Sequence, residues 1–155
     1  MKIVKALKIG VIGLGAIGSE LCEFISQLPT TQLKAVAEID NTKVQQTLQN
    51  LREKPEVLSI KELVQCCDII VEAAHKDCIK EIAECVLEYK KDLMVMSIGG
   101  LLEHPELLEK FRKSTSHLYL PSGALGSLDA LKAAALGAIT HIKLLTTKGK
   151  EGLKY

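Results

Sequence analysis

Five short runs dominated by apolar residues recur along this chain: Ile9–Ile12, Leu33–Ile39, Asp68–Val71, Leu93–Ile98 and Leu118–Leu120. Each is too short for a core helix, and none keeps the strict alternation of a strand with one wet face. Between them, apolar residues return at helical spacing. Ile17, Leu21, Phe24, Ile25 and Leu28 form one such stripe; Ile79, Ile82, Ala83, Val86 and Tyr89 form another, on a helix expected over Lys76–Lys90. Strands that are apolar on both faces need helices on both faces, and a helix between each pair makes them parallel. The expected fold class is therefore α/β, a doubly wound parallel sheet.

The breaks fit that alternation. Pro29-Thr30-Thr31 ends the first helix, and Asn41 or Thr42 caps a second that carries Val44, Leu48 and Leu51. Ser59 with Glu62 makes a capping box ahead of Leu63 and Val64. Gly99-Gly100 turns the chain, and a helix with Leu107, Leu108 and Phe111 follows near Pro105. Ser127 caps a further helix through Leu136, which Gly137 ends. Ile139–Thr146 reads as a last strand, whose open edge is expected to self-associate.

The first strand runs into Gly13-Leu14-Gly15-Ala16-Ile17-Gly18 and then a helix. In a dinucleotide site the first glycine permits the tight turn and the second lets the backbone approach the pyrophosphate. The third brings helix and strand close together. The helix start, at Ala16 and Ile17, presents free amides and a partial positive charge to phosphate. Glu38 lies 20 residues after Gly18, at the end of the second strand, where a carboxylate accepts from the adenine-side ribose. Asp40 is the reserve candidate. A carboxylate there repels a 2′-phosphate, and Lys43 is the one nearby cation, with no arginine. NAD is favoured, with NADP possible. The plainer alternative is a βαβ unit with acidic residues at a strand end.

Ligands of open parallel sheets bind beyond the carboxyl ends of the strands. Glu72-Ala73-Ala74-His75, Ser97-Ile98-Gly99-Gly100 and Pro121-Ser122-Gly123-Ala124-Leu125-Gly126 reach that edge. Ala73, Ala74, His75 and Ser97 are thus candidate cofactor contacts. His75 is a weak candidate acid or base, with helix capping or a place beside the cofactor as the alternative. His104, His117 and His141 read as surface or structural. Ser122, with Gly123, suits hydrogen bonding to cofactor or substrate; no GxSxG elbow makes it a nucleophile. Asp129, with Ser127, reads as a helix cap ahead of any substrate role.

The chain has 155 residues, a formal charge of +1 and 25% charged residues of mixed sign. Nothing in that balance points to nucleic acid. No apolar run reaches the roughly 18–20 residues of a membrane span, and Met1–Lys5 does not open a secretory signal. Cys22, Cys66, Cys67, Cys78 and Cys85 are odd in number and form no CxxC pair. They read as buried thiols of a cytoplasmic protein rather than as disulfides or metal ligands, with Cys78 and Cys85 both facing the core.

GVIGLGAIGSE, VEAAHKDCIKEIAE, MVMSIGG, YLPSGALGSLDALKAA and LLTTKG, in this order, closely resemble the L-aspartate dehydrogenase family over essentially the whole chain. SGALGSLDAL is the most specific of these segments. The resemblance implies an NAD-binding Rossmann domain over 1–123. Over 124–155 it implies a connecting helix and the first strand of an incomplete second α+β domain. It implies NAD(P)-dependent oxidation of L-aspartate to iminoaspartate, which hydrolyses to oxaloacetate and ammonia. It also implies that Gly13, Gly15, Gly18 and Glu38 hold the cofactor and that Ala124 meets the nicotinamide end. The family's catalytic histidine and an asparagine belong to the second domain, and none of the four histidines here matches that histidine. By the resemblance, either this chain is a fragment or another chain supplies the remainder, and the expected partner is a second copy (a homo-oligomer) or a complementary C-terminal chain. A non-catalytic NAD-binding module and another small-acid dehydrogenase, such as one acting on homoserine, are the alternatives.

Overall fold

The computed structural model describes residues 6–122, 128–143, 145 and 147. The chain divides into two compact units, Met1–Pro121 and Ser122–Tyr155. The first holds six parallel strands: β1 (Leu7–Ile12), β2 (Thr31–Ala37), β3 (Glu56–Val57), β4 (Ile69–Glu72), β5 (Asp92–Val95) and β6 (Leu118–Tyr119). Their order across the sheet is β3-β2-β1-β4-β5-β6. The chain thus winds outward from β1 in one direction and then, from β4, in the other. That reversal between β1 and β4 is the switch point where doubly wound sheets bind ligands, and the order is that of the Rossmann fold.

The sheet has helices on both faces, and the core divides accordingly. Helices α1 (Ala16–Gln27) and α2 (Asn41–Asn50) cover one cluster, in which Val11, Leu14, Cys22, Ile25, Val36, Val44 and Val71 are buried. Helices α3 (Ile60–Cys66), α4 (Ile79–Glu88) and α6 (Glu106–Arg112) cover the other, built on Leu63, Ile70, Ile79, Ile82, Val86, Leu93 and Leu107. Adjacent strand residues turn to opposite faces: Ile70 joins the second cluster and Val71 the first. This double burial is why the runs are apolar without alternation. Gly10 lets β1 close on α3, since a Cβ there would sit 2.5 Å from a Leu63 methyl.

Several local expectations are corrected. Asp40, rather than Asn41 or Thr42, caps α2, its Oδ1 accepting from the Thr42 amide at 2.8 Å. Strand β2 ends at Ala37, short of Ile39, so Glu38 leaves the sheet instead of ending a strand. Lys76–Lys90 is a 3₁₀ turn at Lys76–Cys78 followed by α4. Gly99-Gly100 does not merely turn the chain; it opens a short helix, α5 (Gly99–Glu103). Pro105 caps α6 from outside it. Cys78 and Cys85 do pack against the core but are only half-buried, whereas Cys22 and Cys67 are fully buried. All five cysteines are free thiols. Burial pushes the Cys22 and Cys67 thiols up to about 12.

In the second unit, α7 runs over Leu128–Ala134, and the Gly137 amide closes its last turn on the Ala134 carbonyl. The expected strand over Ile139–Thr146 does not form: residues 138–143 and 145 are not in a strand. An apolar stretch becomes a strand only when a neighbour takes up its amides and carbonyls, and among the described residues none does. The expected cap at Ser127 lies outside the described residues.

Candidate functional site

The register brings four strand ends into one row. Ile12 pairs with both Ala37 and Glu72, and Glu72 pairs with Val95. The residues just beyond that row leave the sheet together: Gly13 from β1, Glu38 from β2, Ala73 from β4 and Met96 from β5. The sheet thus gathers the turns after β1, β2, β4 and β5, which carry the candidate residues, at one edge.

The glycines of the first turn have different reasons for being glycine. Gly13 has φ +88°, a left-handed conformation, and its missing Cβ faces the Ala73 and Ala74 backbone at 2.6–2.7 Å. A Cβ on Gly18 would lie 1.9 Å from the Gly13 carbonyl oxygen. Both are required by the chain's own packing. Gly15 is not: its φ of −72° and ψ of −168° suit any residue, and nothing lies within 4 Å of its missing Cβ. It leaves open space at the N-terminus of α1, and no side chain caps that helix. Bare backbone beside uncapped, forward-pointing amides is what a pyrophosphate needs. Ala16 and Ile17, in the first helical turn, are exposed at the same place. The residues present therefore fit a dinucleotide.

Glu38 stands across this turn. Its Oε2 accepts from the Leu14 amide at 2.8 Å, and its Oε1 from the Ile39 and Asp40 amides at 2.8 and 3.0 Å. Partial burial works to raise the carboxyl's pKa; the Leu14, Asp40 and Ile39 amides and the nearby Lys43 outweigh it and hold the group below its ordinary value. Glu38 is a carboxylate at neutral pH, tied to the glycine turn yet reachable by solvent. Asp40 is spent on the α2 cap. Ile39 was not a candidate from sequence, yet it is 99% exposed beside Glu38. An aliphatic side chain fully in water at this edge suits a planar apolar ring; only the structure could single it out, because in sequence it continues an apolar strand.

On the other side of β1, Ala73 is half-buried and Ala74 exposed at the end of β4. His75 is exposed and caps the 3₁₀ turn, its Nδ1 accepting from the Asp77 amide at 3.4 Å and lying 3.1 Å from an Asp77 carboxylate oxygen. Ser97 follows β5, half-buried, and its hydroxyl and amide both reach Glu72. Glu72 itself is fully buried and was not among the expected site residues. Ser122 is exposed and belongs to the second unit; Gly123 and Ala124 lie outside the described residues. Asp129 is the second residue of α7. Among the described residues no cluster of His, Cys, Asp or Glu has the makings of a metal site. No helix among them is long and apolar enough to cross a membrane.

Comparison with known proteins agrees with this geometry. The family model described as "Homoserine dehydrogenase, NAD binding domain" matches residues 13–121. L-aspartate dehydrogenase from Methanocella arvoryzae is 36% identical over 152 residues, 95% of this chain and 56% of that protein. The L-aspartate dehydrogenases of Bradyrhizobium diazoefficiens and Methanocaldococcus jannaschii are 37% and 38% identical over 148 residues each, covering 53% and 55% of those proteins. The chain thus spans about half the length of the curated relatives it matches. Among solved structures, aspartate dehydrogenase from Thermotoga maritima superposes with a TM-score of 0.60 at 20% identity, over 82% of this chain and 50% of that one. Myo-inositol dehydrogenase from Lactobacillus casei, solved with NAD(H) and myo-inositol, gives 0.65 at 18% identity, over 86% of this chain and 43% of that one. At such identities the likeness is one of fold. The resemblance read from the motifs is matched by the relatives: the chain belongs to the family of the homoserine dehydrogenase NAD-binding domain and, within it, is similar over nearly its whole length to L-aspartate dehydrogenases.

Proposed function

We propose that this chain is the dinucleotide-binding portion of an L-aspartate dehydrogenase and that it takes NAD in preference to NADP. One observation carries the reading: 36–38% identity to proteins named L-aspartate dehydrogenase, across more than nine-tenths of the chain and over a turn whose Gly15 leaves room for a pyrophosphate. Gly13 and Gly18 shape the turn, and Gly15, with the first amides of α1 at Ala16 and Ile17, holds the phosphates. Glu38 exchanges its amide donors for ribose hydroxyls, and its charge disfavours a 2′-phosphate. Ala73, Ala74 and Ser97 border the nicotinamide half, with His75 beside it as a cap rather than a proton carrier.

A bound nicotinamide would supply the hydride acceptor: L-aspartate would give its α-hydride to it and a proton from its amino group to a base outside this chain, and the iminoaspartate would add water and release ammonia to give oxaloacetate. This chain's share is to bind, orient and set the electrostatics of that encounter. Ser122 and Gly123 are proposed to border the substrate, and Ala124 the nicotinamide end. In the second unit Leu136, Ile142 and Leu145 are exposed, which supports an apolar contact with a second copy or a complementary chain.

Titration of the purified chain with NADH and NADPH, followed by an assay with L-aspartate and NAD, tests the reading. NADH is expected to bind with a dissociation constant on the order of micromolar or weaker, NADPH at least about tenfold more weakly. Little turnover is expected from this chain alone. No NADH binding would overturn the cofactor reading, and equal NADPH binding would overturn the preference. Turnover of L-homoserine in place of L-aspartate, by the chain or its assembly, would move the substrate.

A further inference from the structure

We infer that Glu72 is a positioning residue that fixes the Ser97 hydroxyl as a hydrogen-bond acceptor, so that the edge beside β5 recognises a donor on the nicotinamide half of the ligand. The inference rests on the dinucleotide reading above.

Glu72 is the one acid among the largest fully buried side chains. An unpaired buried carboxylate is costly, and no cation meets this one in an ion pair among the described residues. Its two oxygens are met by three donors instead. Oε1 accepts from the Ala74 amide at 2.8 Å and from the Ser97 hydroxyl at 2.9 Å; Oε2 accepts from the Ser97 amide at 3.0 Å. The Glu72 carbonyl also accepts from the Met96 amide at 2.9 Å. One residue thus ties the turn after β4 to the turn after β5.

The polarity of these bonds has a consequence. Amides can only donate, and each carboxylate oxygen already accepts from one. The Ser97 hydroxyl is left to give its proton to the carboxylate, and what it keeps for a ligand is its lone pairs. Ser97 is half-buried, and two residues on Gly99 is exposed, with nothing within 4 Å of its missing Cβ. The oriented acceptor thus belongs to a side chain that is not wholly enclosed, in a turn with open space at Gly99. A dinucleotide lying across the switch point with its adenine ribose at Glu38 brings its nicotinamide half to this side of β1. Donors there are the carboxamide N–H₂ and the ribose hydroxyls.

The test is NADH affinity, by fluorescence, for the full chain and for Ser97→Ala, Glu72→Gln and the double variant. In Glu72→Gln the new N–H₂ must face either the Ser97 amide, which disturbs the turn that carries the hydroxyl, or the Ala74 amide and the hydroxyl, which turns the hydroxyl round. Each single variant is expected to weaken NADH about five- to tenfold, the worth of one hydrogen bond to a charged or oriented partner. The double variant should bind no worse than Glu72→Gln, because both remove the same acceptor. Ser97→Ala binding within twofold of the parent, or losses that multiply, would overturn the inference. Ser97→Ala keeps both carboxylate–amide bonds, so it decides alone if Glu72→Gln does not fold.

Reduced 3-acetylpyridine adenine dinucleotide, which has no amide N–H, separates the two donors. If the carboxamide is read, both variants lose selectivity for NADH over the analogue. If a ribose hydroxyl is read, the Ser97→Ala loss persists with the analogue. A general loosening by Glu72→Gln, with Ser97→Ala silent on both ligands, contradicts the role. A parent chain that binds no NADH removes the dinucleotide reading and this inference with it, and is distinguished by that result.

Discussion

Two glutamates flank β1, one just beyond β2 and one at the end of β4, and the side chain of each accepts three hydrogen bonds. Glu38 takes amides from its own turn and from Leu14 and stays open to water. Glu72 takes its donors from residues 74 and 97 and is wholly enclosed. The difference lies in what each can trade. Glu38 can release amides to solvent and accept ligand hydroxyls, so it suits binding. Glu72 has no such exchange open to it, so it suits holding two turns at a fixed separation and deciding which way a neighbour's hydroxyl points.

The largest expected effect follows from the enclosed member. Glu72→Ala strands three donors, each worth about 1–3 kcal/mol when left unmet. Chemical denaturation should show a loss of about 3 kcal/mol or more. A loss below about 1 kcal/mol would mean that water replaces the carboxylate and that Glu72 is no clamp.

Glu38→Ala should invert the pattern. Its donors lie where water can reach them, so the unfolding free energy should fall by only about 1 kcal/mol. NADH affinity should fall about tenfold or more, with discrimination against NADPH largely gone. A variant that loses stability but keeps NADH affinity would make the two glutamates alike.

A smaller effect sharpens the contrast through pH. The native Glu38 carboxyl titrates below its ordinary value of 4.5. The unfolded chain therefore takes up its proton first as pH falls, and the stabilisation present above 4.5 is lost as pH drops through the lower native value. The parent should lose more stability than Glu38→Ala between about pH 5 and pH 3. Parallel curves would show that Glu38 is not held down by its amides.

These two residues also mark what a sequence can disclose. Glu38 was legible as a candidate because the ribose contact proposed for it follows from a spacing after Gly18 that a dinucleotide turn imposes. Glu72 was not: it closes the apolar run Ile69-Ile70-Val71, and its partner Ser97 lies 25 residues away. Buried acids announce themselves only through tertiary donors. The same limit hid β3, whose two residues exist as a strand only because β2 offers them a ladder. It also misled over Ile139–Thr146, where an apolar run had the composition of a strand but, among the described residues, no neighbour to pair with. The parallel sheet itself was readable, since double burial writes its pattern into every central strand.

Gly13 and Gly18 are glycines for the fold's sake, while Gly15 is a glycine the fold does not need. NADH titration of Gly15→Ala against the parent, with unfolding measured on both, is therefore the most direct test that this turn holds a dinucleotide. A Cβ meets no atom of the protein within 4 Å but enters the space proposed for the pyrophosphate. Unchanged stability, within about 0.5 kcal/mol, with NADH affinity down about tenfold or more is the expected result. A variant that binds NADH as the parent does, or a parent that does not bind it, would contradict the account.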